Sequence, residues 1–423
     1  MKISIPVVTV GGANADFPGY ANVAIQGAVD YAASMGGGRV ALDAGVFDMR
    51  DALHMRSYVD IAGQGDGTVL LKAPSKTSKT VYYLGFGHYD VSVAEPDLFS
   101  VGEGVLIEDD YAAGFYATQS TVTGKRDNIL GIRHPLNADI HSDKGGAVTT
   151  VYPLIRGESA CNFSVSDLKI DGNAGMNAHC NGCRGGGVFM LGCENYSLKN
   201  LTVTNFNGEG ISFQQCKNIS IQGCRCYGNT GNGCHPGSGS VNVLIEDCDF
   251  SGNGNNGVFY CLRVAHSIFR RNIVCDNAYH GVSIGHRDFY IGIEDCRFTG
   301  NLKSGVAFRN DNIPNGTGNY TYILRCLFDN ARGTACDGTD AAEIDIPQSA
   351  TGIEIGHCEF KSPHAPIAAN HRMTDCHAYE NKYAAPALIR ENSSGGFALS
   401  PPSNPFRVDF AKTPAEDFLH LRR

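Results

Sequence analysis

VLIEDCDFSGNGNNGVFYCLRVAHSIFRRNIVCDNAYHGVSIGHRDFYIGIEDCRFTGN, residues 243–301, repeats one pattern with a period of 24 residues. Asn205, Asn229, Asn253, Asn277 and Asn301 are each 24 apart, and Gly233, Gly257, Gly281 and Gly305 keep the same step. Gly210 precedes Gly233 by 23. A third column reads Leu201, Cys224, Cys248, Asn272 and Cys296, then Cys326 and Cys358 after longer insertions. Three columns in one register define a repeat, and a fixed period decides the fold before any local propensity does.

Each repeat holds short alternating runs, such as VLIEDCDF from Val243 and GVFYC from Gly257, separated by Gly/Asn turns. Alternation with β-branched residues between turn clusters predicts strands. A leucine-rich repeat would carry its own Leu pattern and a helical segment, and both are absent. A unit of this length with two or three strands fits one coil of a right-handed parallel β-helix, an all-β solenoid. Its coils stack ~4.8 Å apart, so equivalent side chains form ladders. The Cys column then reads as core packing, since parallel side chains in a ladder do not meet disulfide geometry. The Asn column reads as turn residues that tolerate left-handed backbone and hydrogen-bond along the stack.

Composition narrows the function. With 34 Lys+Arg against 43 Asp+Glu the net charge is −9, which lacks the basic stripe a nucleic-acid binder needs. Hydrophobic residues make up 42% and charged residues only 18%, so a large core forms and disorder is excluded. No apolar run reaches the ~18 residues of a membrane span. MKISIPVVTVGGANAD is a poor secretory signal, so the expected location is cytoplasmic, or secreted if a leader was trimmed. In that setting the 16 cysteines are expected to be reduced.

Along the chain, Ile25, Ala28, Val29 and Ala32 share one face of a helix over 22–35 that Gly36-Gly37-Gly38 stops. A strand, GVFDM and SYVDIAGQGDGTVLL follow. A short amphipathic helix, then GGG, a strand, a G-x-[FY] turn and a strand ending GxGxGTVL resembles the start of the pectate-lyase-like β-helix superfamily. That resemblance implies a helix capping the N-terminal end of the solenoid, where bare backbone edges would otherwise be exposed. The expected organisation is a cap and first coils over 1–72 and an insertion packed beside the coils over 73–155. Regular coils carrying the site follow over 156–362, and a C-terminal coil, cap and tail over 363–423. The final TPAEDFLHLRR reads as a short helix.

The strands that follow the repeated Gly carry the candidate chemistry. Their first residue is apolar in every coil (Val188, Ile211, Cys234, Val258, Val282, Val306) and points inward. The next points outward: Phe189, Ser212, His235, Phe259, Ser283, Ala307. The following outward column is Leu191, Gln214, Gly237, Cys261, Gly285, Arg309. Glu209, Asn232, Asn256, His280 and Ser304 precede the Gly, and His286, Arg287 and Asp311 follow the strand. Glu209, His235, His280, His286, Arg287, Arg309 and Asp311 therefore gather along one strip. Three of the 14 histidines fall within 52 residues on this aligned side, where a side chain that titrates near neutrality can exchange protons.

GCHPGSGSVNVLIEDC, with NNGVFYC and DNAYHGVSIGHRD, resembles the mannuronan epimerases and related alginate lyases over about 60 residues. Those enzymes carry Tyr-Gly-x-Asp-Pro-His and, on a further coil, Arg-His-Gly. His280 matches the His of the second motif, with Tyr279 in place of Arg. Pro236 matches the Pro of the first, while His235 stands where the family has Asp and Gly237 where it has His. The family's acid–base pair is thus not reproduced in place. The chemistry this resemblance implies is proton abstraction beside a uronate carboxylate. Arg287 or Arg309 would neutralise the carboxylate and acidify the neighbouring C–H, with His280, His235 or Tyr279 as base. A lyase then expels the leaving sugar, and an epimerase reprotonates the opposite face.

The rival is a glycoside hydrolase or transglycosylase, fructan-cleaving enzymes included, with a carboxylate pair. Glu209 and Asp311 lie four coils apart, ~19 Å at the coil spacing, beyond the roughly 5–9.5 Å such pairs span. Glu209 with Asp171 is nearer, and the loop 173–186 could close over them. A third reading is a tail-fibre-like protein that binds glycan without turnover. His286, Arg287, Arg309, Asp311, Gln214 and Phe259 are the expected substrate contacts, Phe259 supplying a stacking ring because the chain has no Trp. Cys180 and Cys183 form a single CxxC with no second pair at zinc spacing, so no metal site is expected. No cofactor is expected either, with a divalent cation left open. The expected partner is an oligo- or polysaccharide, with no nucleic acid and no membrane, and self-association is left open.

Overall fold

The computed structural model describes residues 6–310, 316–330, 342–363, 365–369, 372–384, 390–391 and 396–408. The chain divides into two compact units, one of Met1–Met190 with Thr202–Ser212, the other of Leu191–Leu201 with Phe213–Arg423. The helix expected over 413–423 lies outside the described residues.

In the first unit, the helix Asn22–Ser34 buries Ile25, Ala28, Val29 and Ala32 completely. Gly37 ends it with φ +121°, and a Cβ there would stand 2.6 Å from the Tyr58 carbonyl oxygen, so only glycine closes the turn. The strands Val7–Gly11, Gly38–Leu42, Val59–Lys72 and Cys161–Asp171 pair in parallel. Residues 77–149 contribute a separate six-stranded sheet whose neighbouring strands run antiparallel. That sheet has its own core, in which Phe99, Val105, Ile107, Val122 and Leu130 are buried.

The second unit is built from coils. One parallel sheet runs through Lys217–Gln222, Val241–Glu246, Ala265–Arg270, Phe289–Glu294 and Asn319–Leu324. A second stacks Cys234–Pro236, Val258–Phe259, Val282–Ile284, Val306–Phe308 and Ile344–Ile346. A third stacks Ile273–Cys275, Arg297–Thr299, Leu327–Asp329 and Glu359–Phe360. The pairs Cys234↔Val258, Val258↔Val282 and Val282↔Val306 reproduce the register of the repeated glycine column. The fold is an all-β parallel β-helix. Among the described residues no helix is long and apolar enough to cross a membrane.

The ladders explain the repeat. Phe298, Phe328 and Phe360 stack at 5.0 Å intervals in the interior. Cys224, Cys248, Cys296, Cys326 and Cys358 are buried free thiols. Cys248 and Cys296 each donate to the carbonyl two residues back, at 3.1 Å. From Asn229 on, the Asn column departs from the expected left-handed turn, which Asn205 alone keeps at φ +54°. Asn253, Asn277 and Asn301 are buried with ordinary backbone, and each side-chain amide donates to the Oδ1 of the next rung at 2.8–3.1 Å. The side chain, turned into the stack, satisfies the corner there, so left-handed backbone is not required. Asn195, Asn218 and Asn242 form a separate column that is left-handed at every rung.

Candidate functional site

The outward column after the repeated glycine is outward by alternation yet covered. His235 and Ser283 are almost fully buried, and Phe259 is half-buried. The cover is Arg309, which folds back toward the earlier coils with its guanidinium 4.1 Å above the Phe259 ring. It donates to Ser283 Oγ at 2.8 Å and to the carbonyls of Tyr260 and Cys261 at 2.6 and 2.8 Å. His235 meets Phe259 edge-on, with centroids 5.2 Å apart. Only 19% of the Arg309 side chain is exposed.

Beneath this layer stands Asp288, fully buried, 4.0 Å from the Arg309 guanidinium. Its carboxylate accepts the backbone N–H groups of Gly285 (2.9 Å) and Val264 (2.8 Å), which brace the strained turn at His286 and Arg287 (φ +52° and +65°). Burial pushes its carboxyl up to about 7, against the pull of those N–H groups, Arg309 and His235. Burial likewise lowers the Arg309 guanidinium, with Asp288 opposing.

His280 is built by the ladder one column earlier. Asn256 donates its backbone N–H (3.0 Å) and its side-chain amide (2.8 Å) to Asn232 Oδ1. His280 continues the pattern by donating its backbone N–H to Asn256 Oδ1 at 3.2 Å. Its ring then takes the asparagine's accepting role, since Nδ1 accepts the Ser304 N–H at 3.2 Å. Burial, helped by the Lys303 and Arg309 charges, lowers its pKa to about 3. At neutral pH the ring is therefore uncharged and its one proton sits on Nε2. Tyr279 packs edge-on against it at 4.5 Å, and Lys303 Nζ stands 3.7 Å above the Tyr279 ring.

The remaining expected residues fall in several places. His286 and Arg287 are half-buried in the turn that precedes Asp288. Gln214 is buried, accepting the Ser238 N–H at 2.7 Å, and its amide fills the space where a Cβ on Gly237 would stand. Asp311 lies outside the described residues. Glu209 and Asp171 belong to the first unit. Asp171 is clasped in its turn by the Asn173 N–H (3.1 Å), the Asn205 amide (3.0 Å) and Lys169 (3.6 Å). Glu209 lies under the 173–186 loop, where Ser212 Oγ donates to the Gly182 carbonyl at 2.6 Å. In that loop Cys180 is buried, its thiol pushed up to about 12 by burial, and Cys183 is half-buried. Among the described residues no group of three or more His, Cys, Asp or Glu could hold a metal ion.

Sequence reading missed Asp288 and Lys303. Asp288 sat in plain view in GHRDF, but its value comes from a turn that buries it. Lys303 follows the Asn301 rung, and only the stacking of coils sets it over Tyr279.

This architecture defines the chain as a right-handed parallel β-helix protein. The family model described as a right handed beta helix region matches residues 154–319. Among solved structures, the A-module of the Azotobacter vinelandii mannuronan C-5 epimerase AlgE4 aligns at 15% identity with a TM-score of 0.54. The alignment covers 90% of this chain and 96% of that one. The Streptococcus pneumoniae surface adhesin PfbA aligns at 15% identity and TM-score 0.53, covering 86% and 82%. At these identities the likeness is one of fold. Comparison with curated proteins gives no match.

Proposed function

We propose that this protein acts on an anionic, uronate-containing saccharide through the group formed by Lys303, Tyr279 and His280. The observation that carries the reading is the uncharged His280, held by its Asn-type rung beside a tyrosine that a lysine ammonium overlies. Lys303 is the cation that neutralises the sugar carboxylate, since its Nζ stands 3.7 Å above the ring of Tyr279. Tyr279, acting as its phenolate, takes the proton from the carbon beside the carboxylate, and the electron pair passes into the carboxylate as an enolate-like anion. Nε2–H of His280 donates a hydrogen bond to the developing charge. In elimination the electron pair returns to form the C=C bond, the C–O bond to the leaving sugar breaks, and the leaving oxygen takes the proton held by Tyr279, which restores the phenolate. In epimerisation water on the opposite face gives a proton to the carbon, and Tyr279 releases the one it took to solvent. Arg309 and Asp288 are positioning residues. The fold is shared with an epimerase module, which supports turnover.

The test incubates the protein with uronate and neutral oligosaccharides while ultraviolet absorbance and product mass are followed together. An unsaturated product, or an epimerised one by NMR, is expected from the uronate and lost in Lys303→Ala and Tyr279→Phe. His280→Asn keeps the ladder acceptor, so it separates chemistry from folding. A product that gains water without absorbance would overturn the proposal in favour of hydrolysis. A second reading, glycan binding without turnover, is favoured by the burial of Arg309 and Asp288 in the packing and by the fold shared with an adhesin. It predicts binding with every substrate recovered unchanged.

A further inference from the structure

One corner of the second unit repeats a left-handed residue in each coil: Asn195, Asn218, Asn242, His266, Tyr290, Tyr320, Gly352 and Asp375, all with φ between +51° and +68°. Strand pairing puts successive members opposite one another. The asparagines pass an amide hydrogen bond from rung to rung at 2.7 Å. The rings continue the stack, His266 on Tyr290 at 5.0 Å and Tyr290 on Tyr320 at 5.2 Å, each pair within 19° of parallel. At Gly352 the column has no side chain, and the aromatic stack ends.

A cavity of about 300 Å³ opens at that rung, lined among others by Tyr320, Gly352, Glu354, Asp375, His377 and Phe406. That volume sits at the lower end of small-molecule sites, room for one ring rather than a folded segment. Its aromatic wall is accessible, Tyr320 being 42% and Phe406 38% exposed. Its polar groups are sorted by charge. Glu354 is neutralised by both nitrogens of Arg407 (2.6 and 2.8 Å) and by the Tyr379 hydroxyl (2.5 Å). Asp375, with 74% of its side chain exposed, has His377 Nε2 at 3.2 Å, and His377 Nδ1 donates to the Ser400 carbonyl at 2.8 Å.

We infer that this cavity is a second saccharide site, one that takes a neutral pyranose ring. The sugar lays its apolar C–H face on Tyr320 where the Gly352 rung leaves the stack unfinished, and its hydroxyls donate to Asp375. A flat ring with an apolar face and donors on its edge matches an aromatic wall with an acceptor-only carboxylate beside it. The carboxylate accepts from sugar hydroxyls but offers no donor to a uronate carboxylate, so the site favours a neutral sugar where the Lys303 group favours an acidic one. This inference goes beyond the proposed reaction and does not depend on turnover.

The test is titration calorimetry of the whole protein with neutral hexose oligosaccharides and with uronate oligomers. Neutral binding is expected, weakened roughly tenfold by Tyr320→Ala, the loss that follows removal of one stacking contact. It is also expected to weaken in Asp375→Lys, which alters an exposed side chain and so spares the fold, and to stay unchanged in Lys303→Ala. Absence of neutral binding to the parent protein would overturn the inference. So would binding that survives both Tyr320→Ala and Asp375→Lys, or a site that prefers uronate. None of these outcomes touches the unsaturated-product assay, so the two proposals fail separately.

Discussion

His280 should stay uncharged far below the pH at which an exposed histidine protonates, and the cost of that neutrality should be measurable. The ordinary imidazole protonates at 6.5, whereas burial beside Lys303 and Arg309 takes His280 to about 3. The unfolded chain therefore binds a proton below 6.5 that the folded chain refuses until about 3. Stability is fully present above 6.5 and is lost as pH falls through that window. At pH 5 the loss is 6.5 − 5 = 1.5 pH units, which at about 1.36 kcal/mol per unit amounts to about 2 kcal/mol. His280→Asn is the matching perturbation, since Asn256 and Asn232 already serve the same rung. Urea unfolding of both proteins at pH 7.5 and pH 5 should show the parent losing about 2 kcal/mol more than the variant on acidification. Ring nitrogen NMR should show the proton on Nε2 throughout. A titration near 6.5, or the same pH dependence in both proteins, would refute the argument from burial and from the ladder.

Asp288 should produce the opposite slope: its carboxyl, raised from 3.8 to about 7, favours the folded state below that window and loses the benefit as pH rises through it. Asp288→Asn should therefore flatten the decline in urea midpoint between pH 5 and pH 8. Asn277→Ala removes the acceptor of two Asn253 donors and the donor to Asn301 and Phe250, all buried. At ~1–3 kcal/mol per stranded polar group, a loss on the order of 3 kcal/mol is expected in urea unfolding. An unchanged midpoint would mean that the ladder does not contribute to stability. Phe298→Ala opens the interior stack against Phe328 and should cost about 3–5 kcal/mol, read the same way.

The coil register was legible because it rests on periodicity: the aligned glycine column and the observed pairing of Val258, Val282 and Val306 agree. The column that alternation turns inward, Val188, Ile211, Cys234, Val258, Val282 and Val306, is buried, and so is most of the column it turns outward. What alternation does not carry is cover. Nothing in the sequence shows that Arg309 folds back over Phe259, because a long side chain chooses its direction from the neighbours it meets. The same limit hid Asp288, whose burial depends on a turn with two left-handed residues at His286 and Arg287. The break in rhythm after residue 72 was visible, but not that residues 77–149 would form an antiparallel sheet with a separate core. Nor did the spacing of the asparagines show which column has left-handed backbone. Asn stands at the buried rung of Asn277 and at the left-handed corner of Asn218 alike, serving different backbone needs.

Both proposed sites lie where a rung departs from its column. A ladder of identical residues satisfies itself: Asn bonds to Asn and Phe stacks on Phe, so nothing is left over for a ligand. His280 replaces an asparagine while keeping its acceptor role through Nδ1, and where Asn256 turns its amide N–H back to Asn232, the imidazole carries its N–H on Nε2. Gly352 replaces an aromatic ring while keeping the left-handed backbone, and the difference is a cavity against Tyr320. In both places the neighbouring rungs hold the backbone, so the departure changes the groups presented at small cost to the fold. The reverse replacements make the point testable together. His280→Asn should preserve the coil and remove the imidazole with its Nε2–H, whereas a side chain placed at Gly352 meets Tyr320 at 2.6 Å and should close the cavity. A protein that lost its fold from His280→Asn would show that the rung had been specialised beyond what its ladder tolerates.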